Sequence, residues 1–164
     1  YALAQLLRAE GAELMVSDLD QGKVRLAEEE LDAQPLALDA VYEAPCDIFS
    51  PCGLGGAINQ RSISLLRCAA VAGAANNQLI DIDMADQLDA RGILYAPDYV
   101  INAGGLLHVA LTHRGVAHGE IAARVKAIGE RLDSIFTQSQ SEGRSPAEVA
   151  DRQAERIIYP DASG

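Results

Sequence analysis

Tyr95-Ala96-Pro97-Asp98-Tyr99-Val100-Ile101-Asn102-Ala103-Gly104-Gly105-Leu106-Leu107-His108-Val109 carries more information about the fold than any other part of the chain. An apolar run, Gly92-Ile93-Leu94-Tyr95, leads through Pro97-Asp98 to a lone Asn102, a glycine pair and then an apolar helical pattern. A strand end, a small-residue loop and a helix start are where open α/β sheets bind ligands. Glycines carry no Cβ, so Gly104 and Gly105 are expected to let backbone approach a flat ligand. Upstream, Val71-Ala72-Gly73-Ala74-Ala75-Asn76-Asn77-Gln78-Leu79 repeats the arrangement. The pair predicts one cleft with two amide-bearing loops.

On either side, strand and helix signals alternate. Residues 12–18 read as a buried strand ending in Asp18, and residues 20–33 as a helix with Val24, Leu26, Ala27 and Leu31 on one face. Residues 34–38 read as a short strand with Pro35 at its edge, because proline cannot donate to a ladder. Residues 46–52 form the next strand and run into Gly53-Leu54-Gly55-Gly56. A helix over 58–66, a strand over 71–74, a helix over 82–90 and a strand over 93–95 come next. This alternation predicts a parallel sheet covered by helices on both faces. From Leu106 the chain turns helical. Residues 119–139 carry an apolar stripe of Ile121, Val125, Ile128, Leu132, Ile135 and Phe136. Ser145-Pro146-Ala147-Glu148 reads as a capping box opening a last helix through Ile158. Asp81 and Asp83 read as caps of the helix they flank. The first residues look like a helix already under way, with Gly11 as its stop, which suggests that the chain begins inside a domain.

Composition narrows the function classes. The chain has 164 residues, 49% of them hydrophobic, enough for a core and too apolar for disorder. Its net charge of −11 repels nucleic acid and anionic membranes, so neither is an expected partner. No apolar run approaches the ~18 residues of a membrane span, and no signal peptide is legible. Cys46, Cys52 and Cys68 are odd in number and form no CxxC pair, which argues for reduced thiols in the cytoplasm and against a disulfide framework or zinc. His108, His113 and His118 are spaced by five and do not share a helix face, so no metal site is expected.

Each candidate has a plain structural alternative. Asp18, at a strand end, suits both hydroxyls of an adenosine ribose and would repel a 2′-phosphate, favouring NAD; equally, it suits the N-cap of the following helix. The glycines after Cys52 fit a ligand loop or a mere turn, and no histidine stands near Cys52 to make it a nucleophile. Asn76 and Asn102 end consecutive strands and offer both donors and acceptors, suited to a carboxamide or carboxylate; either alone is also an ordinary turn residue.

The segments Cys46-Asp47-Ile48-Phe49-Ser50-Pro51-Cys52-Gly53-Leu54-Gly55-Gly56, Ala72-Gly73-Ala74-Ala75-Asn76-Asn77-Gln78-Leu79 and Tyr95 to Gly105, with the terminal Ala150-Asp151-Arg152, resemble the cofactor-binding half of the amino-acid dehydrogenases acting on glutamate, leucine, phenylalanine and valine. The resemblance spans almost the whole chain and is strongest to the leucine-specific members, although Gly53 stands where those usually have alanine. It implies a Rossmann-like doubly wound parallel sheet, truncated at its N-terminus, followed by C-terminal helices. Residues 1–118 would be a partial dinucleotide-binding domain lacking the first strand and glycine-rich loop, and 119–164 helices packing on it. It implies that Asp18 holds the adenosine ribose of NAD, that Cys52 and Gly53 line the adenosine side, and that Ala74, Asn76 and Asn102 lie at the nicotinamide. Asn76 would also stand near the substrate carboxylate. Leu106 and Val109, about one helical turn apart, would wall the substrate side chain; both are apolar, against glutamate, and Leu106 is bulky, against a phenyl ring. Branched-chain L-amino acids, converted to 2-oxo acids and ammonium by a homo-oligomer, fit best; a phenylalanine- or valine-specific member is the variant reading.

The resemblance also implies what is missing: the phosphate loop, and a substrate domain bearing the catalytic lysine and aspartate. No catalytic residue is therefore expected in these 164 residues, nor turnover by them alone. Two other readings compete. One is a non-catalytic Rossmann remnant or binding module; the other is a hydroxy-acid dehydrogenase, which would need a His–carboxylate pair that the sequence does not offer.

Overall fold

The computed structural model describes residues 1–160. It divides into two compact units, Tyr1–Pro45 with Leu65–Arg67, and the remainder from Cys46.

In the first unit, α1 (Ala2–Ala9) stops at Gly11, whose φ of +90° a side chain would resist. β1 (Met15–Val16) pairs in parallel with β2 (Gln34–Pro35), across α2 (Gln21–Leu31). The core forms where the apolar face of α2 meets the sheet: Ala27, Leu31 and Ala33 are buried, with Ala4, Leu14 and Val16 packed on them. Arg8 pairs with Asp32 at 3.1 Å, an exposed contact of small energetic weight.

In the second unit, β3 (Ile48–Phe49), β4 (Ala70–Val71) and β5 (Leu94–Tyr95) form a parallel sheet in that order, with Ile48 opposite Ala70 and Ala70 opposite Leu94. α3 (Ser62–Leu65) and α4 (Asp83–Ala90) lie in the crossovers. The chain continues as α5 (Asp98–Ile101), α6 (Ala103–His113), α7 (His118–Lys126), α8 (Ile128–Glu142) and α9 (Pro146–Ile158). Val71, Leu88, Ile135 and Val149 are almost wholly inaccessible to solvent. A cluster of Ile135, Val149, Ala150 and Val100 joins α8 and α9 to α5.

The α/β class, the parallel pairing and the C-terminal helices are as the sequence reads; several local expectations are corrected. The helix foreseen over 58–66 is only α3, because Ile58 makes a parallel bridge with Leu79 and Asn59 caps the turn that opens α3, its Oδ1 accepting from the N–H groups of Arg61 and Ser62 at 3.1 Å. The helix foreseen over 119–139 breaks at Ala127 into α7 and α8, yet its stripe stays at least half-buried. Ser145 caps α9, Oγ accepting from Glu148 N–H at 3.4 Å, but the Glu148 carboxylate pairs with Arg144, so the capping box is half made. Neither Asp81 nor Asp83 is the N-cap of α4, which is Ile82: Asp83 is its first helical residue, and Asp81 accepts from Asp83 N–H at 3.2 Å in the turn before it. The N-cap of α2 is Asp20, not Asp18. Residues 161–164 of the foreseen helical segment lie outside the described residues. Among the described residues, no helix is long and apolar enough to cross a membrane.

Candidate functional site

Strand β4 ends against Pro51, two residues beyond β3. A Cβ added to Gly73 would overlap the Pro51 backbone, so glycine is what lets these two strand ends come together. The Ala75 N–H donates to the Pro51 carbonyl at 2.9 Å and locks the approach. Pro51, Gly73 and Ala75 are buried, whereas Cys52, Gly53, Ala74 and Asn76 are exposed. The backbone of the two loops is thus internal and its alternate side chains face solvent. Nothing lies within 4 Å of a Cβ built on Gly53, which opens outward.

The turn between α5 and α6 meets the same loop, so that Asn102 follows a helix and does not end β5 as the sequence suggests. Asn102 bridges α5 and α6, and its Nδ2 donates to the Ala75 carbonyl at 2.6 Å. That bond consumes the amide's donor side toward Ala75 and leaves Oδ1 as an acceptor. The Asn76 side chain, by contrast, bonds to no described residue and keeps both donor and acceptor. A free amide beside an amide acceptor matches a planar carboxamide, which offers two N–H and one carbonyl oxygen.

Beneath the loop lies a polar network that sequence reasoning missed. Gln78 is wholly buried, and Nε2 donates to the carbonyls of Gly73 at 2.8 Å and Ala75 at 2.9 Å. Its Oε1 is buried as well, without a hydrogen-bond partner among the described residues. Its backbone N–H donates to Asp98 Oδ2 at 2.6 Å. The Asp98 N–H donates to Tyr95 Oη at 3.2 Å. Burial, then the neighbouring Asp98 carboxylate, holds the Tyr95 phenol well above its ordinary range, while the Asp98 N–H pulls the other way. In sequence Gln78 looks like one more polar loop residue; only the apolar Leu79 beside it hints that the chain has re-entered the core.

The glycine pair is not in a loop. Gly104 and Gly105 lie in the first turn of α6, a correction to the expected open loop. A Cβ on Gly104 would make ordinary contact with Val125, while one on Gly105 would meet nothing within 4 Å. Further along α6, Leu106 and Val109 are 75% and 68% exposed, two apolar side chains on one face with nothing covering them.

In the first unit, Asp18 is half-buried at the end of β1, and Oδ1 accepts from Asp20 N–H at 2.9 Å. One oxygen is used in a turn and the other stays available. The Ser17 hydroxyl beside it is buried without a partner among the described residues. No group of three or more His, Cys, Asp or Glu that could hold a metal occurs among the described residues. His108 and His118 make an edge-to-face ring contact, their centroids 5.8 Å apart.

Comparison with known proteins bears on this geometry. Residues 2–152 match the family described as Glutamate/Leucine/Phenylalanine/Valine dehydrogenase. Leucine dehydrogenase of Thermoactinomyces intermedius is 39% identical over 158 residues, 96% of this chain and 43% of that protein. Phenylalanine dehydrogenase of Bacillus thermotolerans is 37% identical over 163 residues, again 96% of this chain and 43% of its own length. The crystal structure of L-tryptophan dehydrogenase from Nostoc punctiforme matches with a TM-score of 0.92 at 35% identity, over 99% of this chain and 50% of that one. The chain therefore spans half or less of the length of these relatives.

Proposed function

The chain belongs to the Glutamate/Leucine/Phenylalanine/Valine dehydrogenase family of NAD(P)-dependent amino-acid dehydrogenases, and we propose that it is the NAD-holding part of an enzyme oxidatively deaminating branched-chain L-amino acids. The reaction converts amino acid, NAD+ and water into 2-oxo acid, NADH and ammonium. The observation that carries the substrate class is the exposed pair Leu106 and Val109, an apolar wall of aliphatic dimensions on the helix that Asn102 opens. An apolar wall gives a glutamate side chain no counter-charge, and burying that carboxylate unpaired is costly.

NAD+ supplies the hydride acceptor, and this chain's residues bind and orient. In the first unit, Asp18 accepts from the ribose hydroxyls with its spare oxygen. In the second, Cys52 and Gly53 follow the adenosine side, Ala74 gives a small surface at the nicotinamide, and Asn102 accepts from the carboxamide through Oδ1. Asn76 donates to the carboxamide or to the substrate carboxylate. The same reading includes the division into residues 1–118 and 119–164, a cytoplasmic homo-oligomer as the working form, and no turnover by these 164 residues alone.

Steady-state kcat/KM of the full-length protein for L-leucine, L-isoleucine, L-valine, L-phenylalanine, L-tryptophan and L-glutamate tests it. Branched aliphatic substrates should lead the aromatic and acidic ones by about tenfold or more. Preference for phenylalanine or tryptophan, the substrates named for two of the relatives, would overturn the aliphatic assignment. Absence of any NAD+-dependent turnover would overturn the enzymatic one.

A further inference from the structure

Burying an amide side chain costs free energy unless its hydrogen bonds are made inside. Gln78 has no solvent access, and the partners of its Nε2 are not scattered. They are the carbonyls of Gly73 and Ala75, which flank exposed Ala74. The Ala75 carbonyl also takes the Nδ2 donor of Asn102, so one oxygen holds an amide from each of the two loops. The Gln78 backbone is in turn anchored to Asp98, and Asp98 to Tyr95, at the root of the helix pair bearing Asn102. A hydrophobic side chain of equal length would fill the same space without these donors. What the glutamine side chain adds is a fixed curl of the 73–77 loop, which holds in place the Ala75 carbonyl that Asn102 also grips.

We propose that Gln78 is a positioning residue that, through the Gly73 and Ala75 carbonyls and Asn102, sets Ala74, Asn76 and Asn102 Oδ1 against the nicotinamide carboxamide. The inference rests on the proposed NAD-binding role. Gln78 touches no ligand itself, so its loss should disturb the nicotinamide end and spare the adenosine end.

The experiment is NADH titration of the full-length protein, wild type and Gln78→Met, following nicotinamide emission, together with hydrogen exchange of residues 73–77 in the ligand-free protein. The variant should bind NADH within about threefold of wild type, a difference under 1 kcal/mol. It should lose most of the emission change that accompanies binding, and its loop amides should exchange about fivefold faster or more. Wild-type emission together with wild-type loop exchange overturns the inference, as does an unchanged spectrum with only a lowered melting temperature. If Gln78→Met fails to fold, Gln78→Asn, which keeps a buried amide but shortens its reach to the Gly73 and Ala75 carbonyls, decides by the same two readouts. If the wild type binds no NADH, the cofactor reading fails and takes the inference with it; wild-type binding with an unaltered variant sinks the inference alone.

Discussion

Gly73 and Gly105 show how differently two glycines work in one chain. At Gly73 the missing Cβ is what admits the Pro51 backbone, and neither element can move without breaking the Ala75–Pro51 hydrogen bond. Gly73→Ala should therefore destabilise the protein by about 3 kcal/mol, the upper range for overpacking, read as a lower urea midpoint. At Gly105 the chain leaves the space open, and the residue sits in a helix, where glycine is entropically costly. Gly105→Ala should stabilise by about 0.5–1 kcal/mol. If the space serves a ligand, the same variant should raise the KM for NAD+ or amino acid while melting later. A variant that melts later and keeps wild-type constants would show the space to be idle. Asn76 and Asn102 stand out in the sequence as amides placed after apolar runs, although Asn102 follows α5 and does not end β5. It hid Gln78, since a buried glutamine after Asn76-Asn77 has the same letters as a solvated turn.

Among the elements, periodicity served well where burial alone sets the pattern. The stripe from Ile121 to Phe136 is at least half-buried throughout, and Ser145-Pro146 opens α9 as its chemistry dictates. What periodicity cannot see is a break that keeps the apolar phase. The helix parts at Ala127 with neither proline nor positive φ to mark it, and the stripe carries across. The error over 58–66 has another cause: Ile58 is apolar and in helical phase with Leu66, but its backbone pairs with Leu79. Ladder partners distant in sequence leave no local trace. The half-made capping box supports a prediction of its own. Ser145 is buried and its hydroxyl caps α9, so Ser145→Ala should cost about 1 kcal/mol in thermal or urea unfolding. Glu148 is spent on an exposed pair with Arg144 rather than on the cap, so Glu148→Ala should change stability by less than about 0.5 kcal/mol. Equal losses for the two variants would mean that the box closes in solution.

Over the whole molecule, the strongly acidic composition makes no statement about the fold, whereas the buried Tyr95 phenol and the half-buried Cys46 and Cys68 thiols make one about pH. Burial raises the Cys46 and Cys68 thiols above their ordinary value near 9, and burial with the Asp98 carboxylate raises the Tyr95 phenol above its ordinary value near 10. In each case the unfolded chain releases its proton first as pH rises. Below the unfolded value both states hold the proton and the contribution to stability is complete; above it, stability falls until the folded group also titrates. The protein should thus be insensitive to alkali up to about pH 9, lose stability gradually as the thiols enter, and steeply above about pH 10, where a tyrosine that resists ionisation contributes about 1.4 kcal/mol per pH unit. Tyr99 is raised too, by burial first and then by its hydrogen bond to Asp151, but it is 47% exposed and solvent screens its share. Tyr95→Phe isolates the main contributor. At pH 8 it should cost about 1 kcal/mol for the lost Asp98 bond. Between about pH 10 and 11 its urea midpoint should fall less steeply than the wild type's, so that the two curves converge. Parallel curves would assign the alkaline loss to other groups and show that Tyr95 ionises as freely in the folded protein as in the unfolded chain.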